Sequence, residues 1–310
     1  MTTALQTRPL QPRFGVEILD VDIRDVTADH LYPEIRELFE AHSLLLFRNQ
    51  QMDEDVHNDF ALLFGPLEDR VADAAQSNPD PRPSIPRLTN LTTNGDRVRD
   101  QSSIQVKNMI ANQFWHTDST FLNTPALINV ITAFVVPSEG GETELVSTRA
   151  AFEDLPAEQQ DKLIKTDFLH SLLRSRIRVD PELLQLPEVS RYQSKAWRAV
   201  WPNPVNGKLA LYIAEHVYQV RGMEPQASID YMNELIDYCT QEEYRYRHCW
   251  QPGDVLVWDE RATMHRGRPW PYDQERTLAS CCVSAREIDG LAQVRPLGGE
   301  VQPGEKFNPV

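Results

Sequence analysis

Gln113-Phe114-Trp115-His116-Thr117-Asp118 sets an imidazole and a carboxylate two residues apart. In an extended chain, side chains at i and i+2 point to the same face, so both can meet one metal ion. Phe114 and Trp115 precede the pair and can wall it from water. A third ligand must come from elsewhere, since His-x-Asp by itself recurs by chance in a chain of this length. His265 is the strongest candidate. It follows the apolar run Asp254-Val255-Leu256-Val257-Trp258-Asp259, which reads as a strand, and it is expected in the turn just past it. Two imidazoles and one carboxylate leave open positions on iron(II), the pattern of non-haem oxygenases. A structural zinc site is usually closed by four ligands.

An open iron site needs a co-substrate that delivers electrons. 2-Oxoglutarate chelates through its 2-oxo acid, and its far carboxylate then needs a cation. Arg276 stands eleven residues after His265 at the start of the strand-like run TLASCC. A guanidinium holds a carboxylate through two parallel hydrogen bonds. Thr143, in Gly140-Gly141-Glu142-Thr143-Glu144, can add a hydroxyl to the same carboxylate.

These residues need elements to position them. Residues 31–42 read as an amphipathic helix, and SLLLFRN after them as a buried strand. Residues 16–26 read as a strand, and Asp53 as the cap of a second helix that ends at Gly65-Pro66. Residues 70–112 are polar and rich in Pro, Asn and Gly, and read as a long lid loop over the site. Beyond them strand-like runs dominate: ALINVITAFVVP, GGETELVST, LALYIAEHV, YRYRHCW, DVLVWD and TLASCCVSA. Residues 149–164 and 227–241 read as helices. Short strands, Gly/Pro turns and a few helices predict a mainly β fold, a sandwich or barrel with helices packed outside. No composition shift divides the chain, so residues 1–310 are read as one catalytic domain.

Composition narrows the partners. The 310 residues carry 31 Lys+Arg against 46 Asp+Glu, a formal charge of −15. That argues against nucleic acid, whose binders usually present a basic face. One buried Arg can still hold a small anion. No apolar run reaches the length of a membrane span, and the N-terminus lacks the apolar core of a signal peptide. Four Cys without zinc-ligand spacing fit a reducing cytoplasm.

Taken together, FGPLE (64–68), FWHTDSTF (114–121), VVPSEGGETEL (135–145), GDVLVWDERATMHRGR (253–268) and Arg276 resemble the taurine/2,4-dichlorophenoxyacetate dioxygenase family. The resemblance runs from about residue 13 to about residue 286. It is strongest to the 2,4-dichlorophenoxyacetate branch, through TNLTTNGDRVRDQ and NMIANQFWHTDS. It implies a distorted double-stranded β-helix, or jelly roll, with flanking helices. It implies that His116, Asp118 and His265 bind Fe(II) and that Thr143 and Arg276 hold 2-oxoglutarate, with O₂ as the third reactant. The expected reaction oxidises a C–H bond of a small molecule, giving succinate and CO₂. Relatives of such folds often form dimers or tetramers, so a homodimer or homotetramer is expected.

Departures from the family pattern concern the substrate. The family often has a second Arg four residues after the first, and Ser280 stands there. Asn203 replaces a common His in the segment Asn203-Pro204-Val205-Asn206-Gly207. His216 matches a His of the phenoxyacetate branch, and Trp115 flanks a ligand. Arg97 and Arg99, on the lid loop, are candidates for a replacement cation. These six residues are the sequence's substrate candidates. Two other readings stay open: the same iron chemistry turned to desaturation, cyclisation or rearrangement, and a jelly-roll protein that binds a small molecule without turnover. Asp118 argues against a halogenase, which in similar folds lacks the carboxylate.

Overall fold

Val255–Asp259 is buried along its whole length, and two strands clasp it. Leu44–Phe47 pairs with it on one side and Ala126–Val135 on the other, both antiparallel. These three lie at the centre of a seven-stranded sheet in a computed structural model that describes residues 4–308. Thr7–Pro9 and Val16–Ile18 extend one side of the sheet, and Thr277–Ser284 and Arg87–Thr89 the other. Facing strands form a smaller sheet in which Thr143–Ser147 is flanked by Arg245–His248 and Thr263–Gly267. The result is a distorted jelly roll with helices outside, in agreement with the sequence reading.

Alternation decides what each strand shows to each side. In Ala126–Val135, Ile128 and Val130 join the core under the helix Glu54–Phe64, whose Phe60 and Phe64 pack there. Asn129 and Ile131 face a cavity between the sheets. In the last long strand, Ala279 and Val283 point to the core, whereas Leu278, Ser280 and Cys282 line the cavity. Burying a Leu, Val or Phe is worth about 1.5–3 kcal/mol each. That repeated gain fixes the register, because a one-residue slip would exchange the two faces.

Several elements differ from the sequence reading. The expected strand over 16–26 stops at Ile18, and a 3₁₀ turn, Ile23–Asp25, follows under an Asp22 cap. Helix 149–164 is two helices, Thr148–Asp154 and Ala157–Ile164, separated at Leu155-Pro156, because proline disfavours helix in the residue before it. LALYIAEHV yields only the short strand Leu209–Leu211, with Val217–Val220 beyond it. The polar stretch 70–112 is not a bare loop. It holds helices Arg70–Ala75 and Ile104–Ala111 and the edge strand Arg87–Thr89. Asp69 and Ser103 cap the two helices, a local signal that the Pro and Asn content masked.

Candidate active site

His265 lies within the strand Thr263–Gly267, not in a turn past its predecessor. His116 joins it through a two-bond bridge: each backbone N–H donates to the other's carbonyl, at 2.9 and 2.8 Å. The two rings are thereby held 4.2 Å apart, centroid to centroid. Asp118 completes the group, with Oδ1 3.7 Å from His116 Nε2 and Oδ2 3.8 Å from His265 Nε2. One donor atom from each of the three lies within 4.8 Å of the others.

Neighbours fix the state of each donor. His116 Nδ1–H donates to the Phe114 carbonyl at 2.7 Å, which leaves Nε2 as a free lone pair. Burial lowers the pKa of His116, and it lowers that of His265 to about 3, so both rings are neutral at pH 7. Burial alone would favour a neutral Asp118. The neighbouring imidazoles, wherever they carry a proton, and the Arg70 guanidinium and Asn129 amide at any pH hold the carboxyl below its usual range, so it is ionised at pH 7. Neutral imidazole and ionised carboxylate are the forms that bind a metal. Asn129 Nδ2 donates to Asp118 Oδ2 at 2.7 Å, and Ser280 Oγ donates to Asn129 Oδ1 at 2.9 Å. Buried Glu260 accepts from the Asp118 backbone N–H at 2.9 Å and from Trp258 Nε1 at 2.6 Å.

The triad opens into a cavity of about 1010 Å³. Arg276 and Thr143 line it, as the sequence reading expected. Arg276 Nε donates to the Gly141 carbonyl at 3.0 Å, and its guanidinium lies 5.1 Å from the centre of the Trp270 ring. No carboxylate pairs with it among the described residues. Burial lowers its pKa only to about 10, so it stays charged. Gly141 has φ +71°, and a Cβ there would come within 3.1 Å of the Arg276 side chain. At Gly140, φ +72°, a Cβ would strike the Pro269 carbonyl at 2.4 Å. The Gly-Gly turn is thus what admits the guanidinium. Thr143 Oγ1 accepts from Trp250 Nε1 at 3.0 Å, which aims its own proton elsewhere.

Of the substrate candidates, His216 and Ser280 line the cavity. Four do not. Asn203 is buried in another part of the fold, where its Nδ2 donates to Glu40 at 2.6 Å and its Oδ1 accepts from Val205 and Asn206. It closes a tight turn and feeds the buried Glu40–Arg261–Asp259 cluster. Trp115 turns away beneath Arg266, whose guanidinium lies 4.5 Å from its ring centre. Arg97 and Arg99 are exposed, and Arg97 donates to the Asp273 carbonyl. Their stretch of chain hairpins at Asn94-Gly95, carrying both arginines outward. Among the cavity residues that escaped the sequence reading are four arginines: Arg70, at the start of the helix Arg70–Ala75, Arg87 in the edge strand, Arg176 in the helix Leu172–Ile177, and Arg268.

Comparison with known proteins places the chain in a family. Residues 6–282 match the family described as taurine catabolism dioxygenase TauD, TfdA family. The chain belongs to that family, and the protein is an enzyme of the dioxygenase class. It is 33% identical over 281 residues to the alpha-ketoglutarate-dependent 2,4-dichlorophenoxyacetate dioxygenase of Cupriavidus pinatubonensis, a match covering 87% of this chain and 94% of the relative. It is 30% identical over 284 residues to the (S)-phenoxypropionate/alpha-ketoglutarate-dioxygenase of Sphingobium herbicidovorans, covering 90% and 94%. The crystal structure of AAD-2 in complex with Mn(II) and N-oxalylglycine superposes with a TM-score of 0.83 at 26% identity, covering 92% of this chain and 99% of that one.

Proposed function

We propose that this enzyme is an iron(II)- and 2-oxoglutarate-dependent dioxygenase acting on a small organic substrate, in which His116, Asp118 and His265 hold the metal and Arg276 with Thr143 holds the far carboxylate of 2-oxoglutarate. One observation carries the reading: a three-donor face and a buried guanidinium with no carboxylate partner among the described residues share one cavity. Bound iron with 2-oxoglutarate supplies oxygen activation, and its products are succinate, CO₂ and an oxidised substrate carbon. The chain's own part is placement. His116 and His265 present lone pairs fixed by the backbone bridge, and Asp118 presents oxygens held by Asn129. Arg276 orients the co-substrate through a two-point grip. The walls, including residues from 70–112, exclude water from the reacting centre.

The relatives named for aryl ethers favour a hydroxylation that can end in ether cleavage. Pentalenolactone F synthase of Streptomyces arenae, 28% identical over 176 residues, keeps a natural-product oxidation as the second reading. The four unpaired thiols accord with a reducing cytoplasm, and a homodimer or homotetramer belongs to the same reading. The test is succinate release by protein loaded with Fe(II) without oxygen, then given 2-oxoglutarate, O₂ and a panel of aryloxyacetates, alkyl sulfates and neutral aromatics. Succinate that rises with one class is the expected result. Bound iron with no succinate from any mixture would make the protein a binder.

A further inference from the structure

Arg176 is a largely buried guanidinium in the cavity wall that pairs with no carboxylate among the described residues. Its Nη1 donates only to the hydroxyl of neighbouring Ser175, and its Nε is buried without a partner. Arg70 enters the same cavity from another helix. Its Nε pairs with Glu68 at 2.5 Å, while Nη2 reaches Ser119 Oγ at 3.5 Å and Cys282 Sγ at 3.8 Å. Cys282 Sγ lies in turn 3.7 Å from Asp118 Oδ2, so Arg70 borders the metal end of the cavity that Arg176 also lines. Ser280, where the family often carries its second Arg, is instead bonded to Asn129 and held in the support of Asp118. Ile85, Ile104, Met109 and Leu172 supply apolar patches to a wall that elsewhere carries Arg87, Arg268 and the amides of Gln105 and Asn108.

Resting on the dioxygenase reading, we infer that Arg176, assisted by Arg70, is the specificity-determining anion site for the substrate. It takes over the task of the missing Arg from a different element and selects a molecule with one carboxylate or sulfate head and an apolar body. A buried guanidinium with unmet donors gains most from an anion that fills them.

The test titrates enzyme loaded with Fe(II) and 2-oxoglutarate, free of oxygen, by calorimetry. The probes are 2,4-dichlorophenoxyacetate against its methyl ester, and hexyl sulfate against hexanol. At least one anion should bind about tenfold to a hundredfold tighter than its neutral counterpart. Arg176→Met should erase that preference and leave the 2-oxoglutarate Kd unchanged. Arg70→Met should reduce the preference by less, and Arg176→Lys should restore part of it. Should Arg176→Met fail to fold, Arg176→Lys and Arg70→Met carry the comparison. The inference is overturned if no anion is preferred, if the variants keep the full preference, or if Arg176→Met loosens 2-oxoglutarate instead. Wild-type protein that binds iron but not 2-oxoglutarate would overturn the enzyme reading itself.

Discussion

Arg276 is buried and Arg176 largely so, and among the described residues neither has a carboxylate partner, yet they stand on unlike supports. Arg276 immediately precedes the long strand Thr277–Ser284 of the major sheet. Its backbone N–H donates to Asn90 Oδ1, its Nε to the Gly141 carbonyl, and Trp270 covers its plane. Arg176 rides a six-residue helix and leans only on the serine beside it. Arg276, to which we assign the co-substrate, is therefore fixed by sheet backbone and a glycine turn. The wall to which we assign the substrate's anion draws its two arginines from the short helices Arg70–Ala75 and Leu172–Ile177. A ligand common to all members can be read from a rigid frame, while a variable ligand is best met by elements that change without disturbing it.

Both ends depend on the triad between them, so the largest effect is expected there. Asp118→Ala should cut succinate formation by about a thousandfold or more, with circular dichroism unchanged. Unaltered turnover would remove the centre about which the two ends are compared. Next comes Arg276→Met, for which the KM for 2-oxoglutarate should rise about a hundredfold and the substrate Kd should move less than about twofold. If this variant and Arg176→Met disturb both ligands alike, the cavity has one shared anion site and the comparison fails.

Smaller effects sharpen it. Asn129→Ala should weaken iron binding by about tenfold to a hundredfold, because the amide orients Asp118, and metal titration would read this directly. Ser280→Ala should weaken it by only a few-fold, acting one bond further out. Asn203→Ala should cost about 1–3 kcal/mol in denaturant unfolding and leave both KM values alone, since it strips Glu40 of a buried partner far from the cavity. A changed substrate KM in that variant would restore Asn203 to the substrate end.

The same contrast governs what the sequence could reveal. His116 and Asp118 are two residues apart, and Arg276 immediately precedes a recognisable strand, so local spacing carries their chemistry. The Gly140-Gly141 pair likewise announces a tight turn. Arg70 and Arg176 carry no such mark. Each is one arginine on a short helix, the commonest setting for a solvated charge, and only tertiary packing turns them inward. Arg97 and Arg99 attracted attention for their charge alone, and a hairpin sends them outward. Asn203 was misplaced for the opposite reason. Its register matches a family motif, but its amide completes a turn and a buried ionic cluster.

The reciprocal bridge between His116 and His265 also bears on how the protein can be handled. Main-chain bonds, not the metal, hold these two ligands together, and Asn129 and Glu260 do the same for Asp118. Chelation should consequently be reversible: the stripped chain keeps its fold and takes up iron again on dialysis. Its melting temperature should climb smoothly with added metal, as expected when a ligand occupies a site already formed.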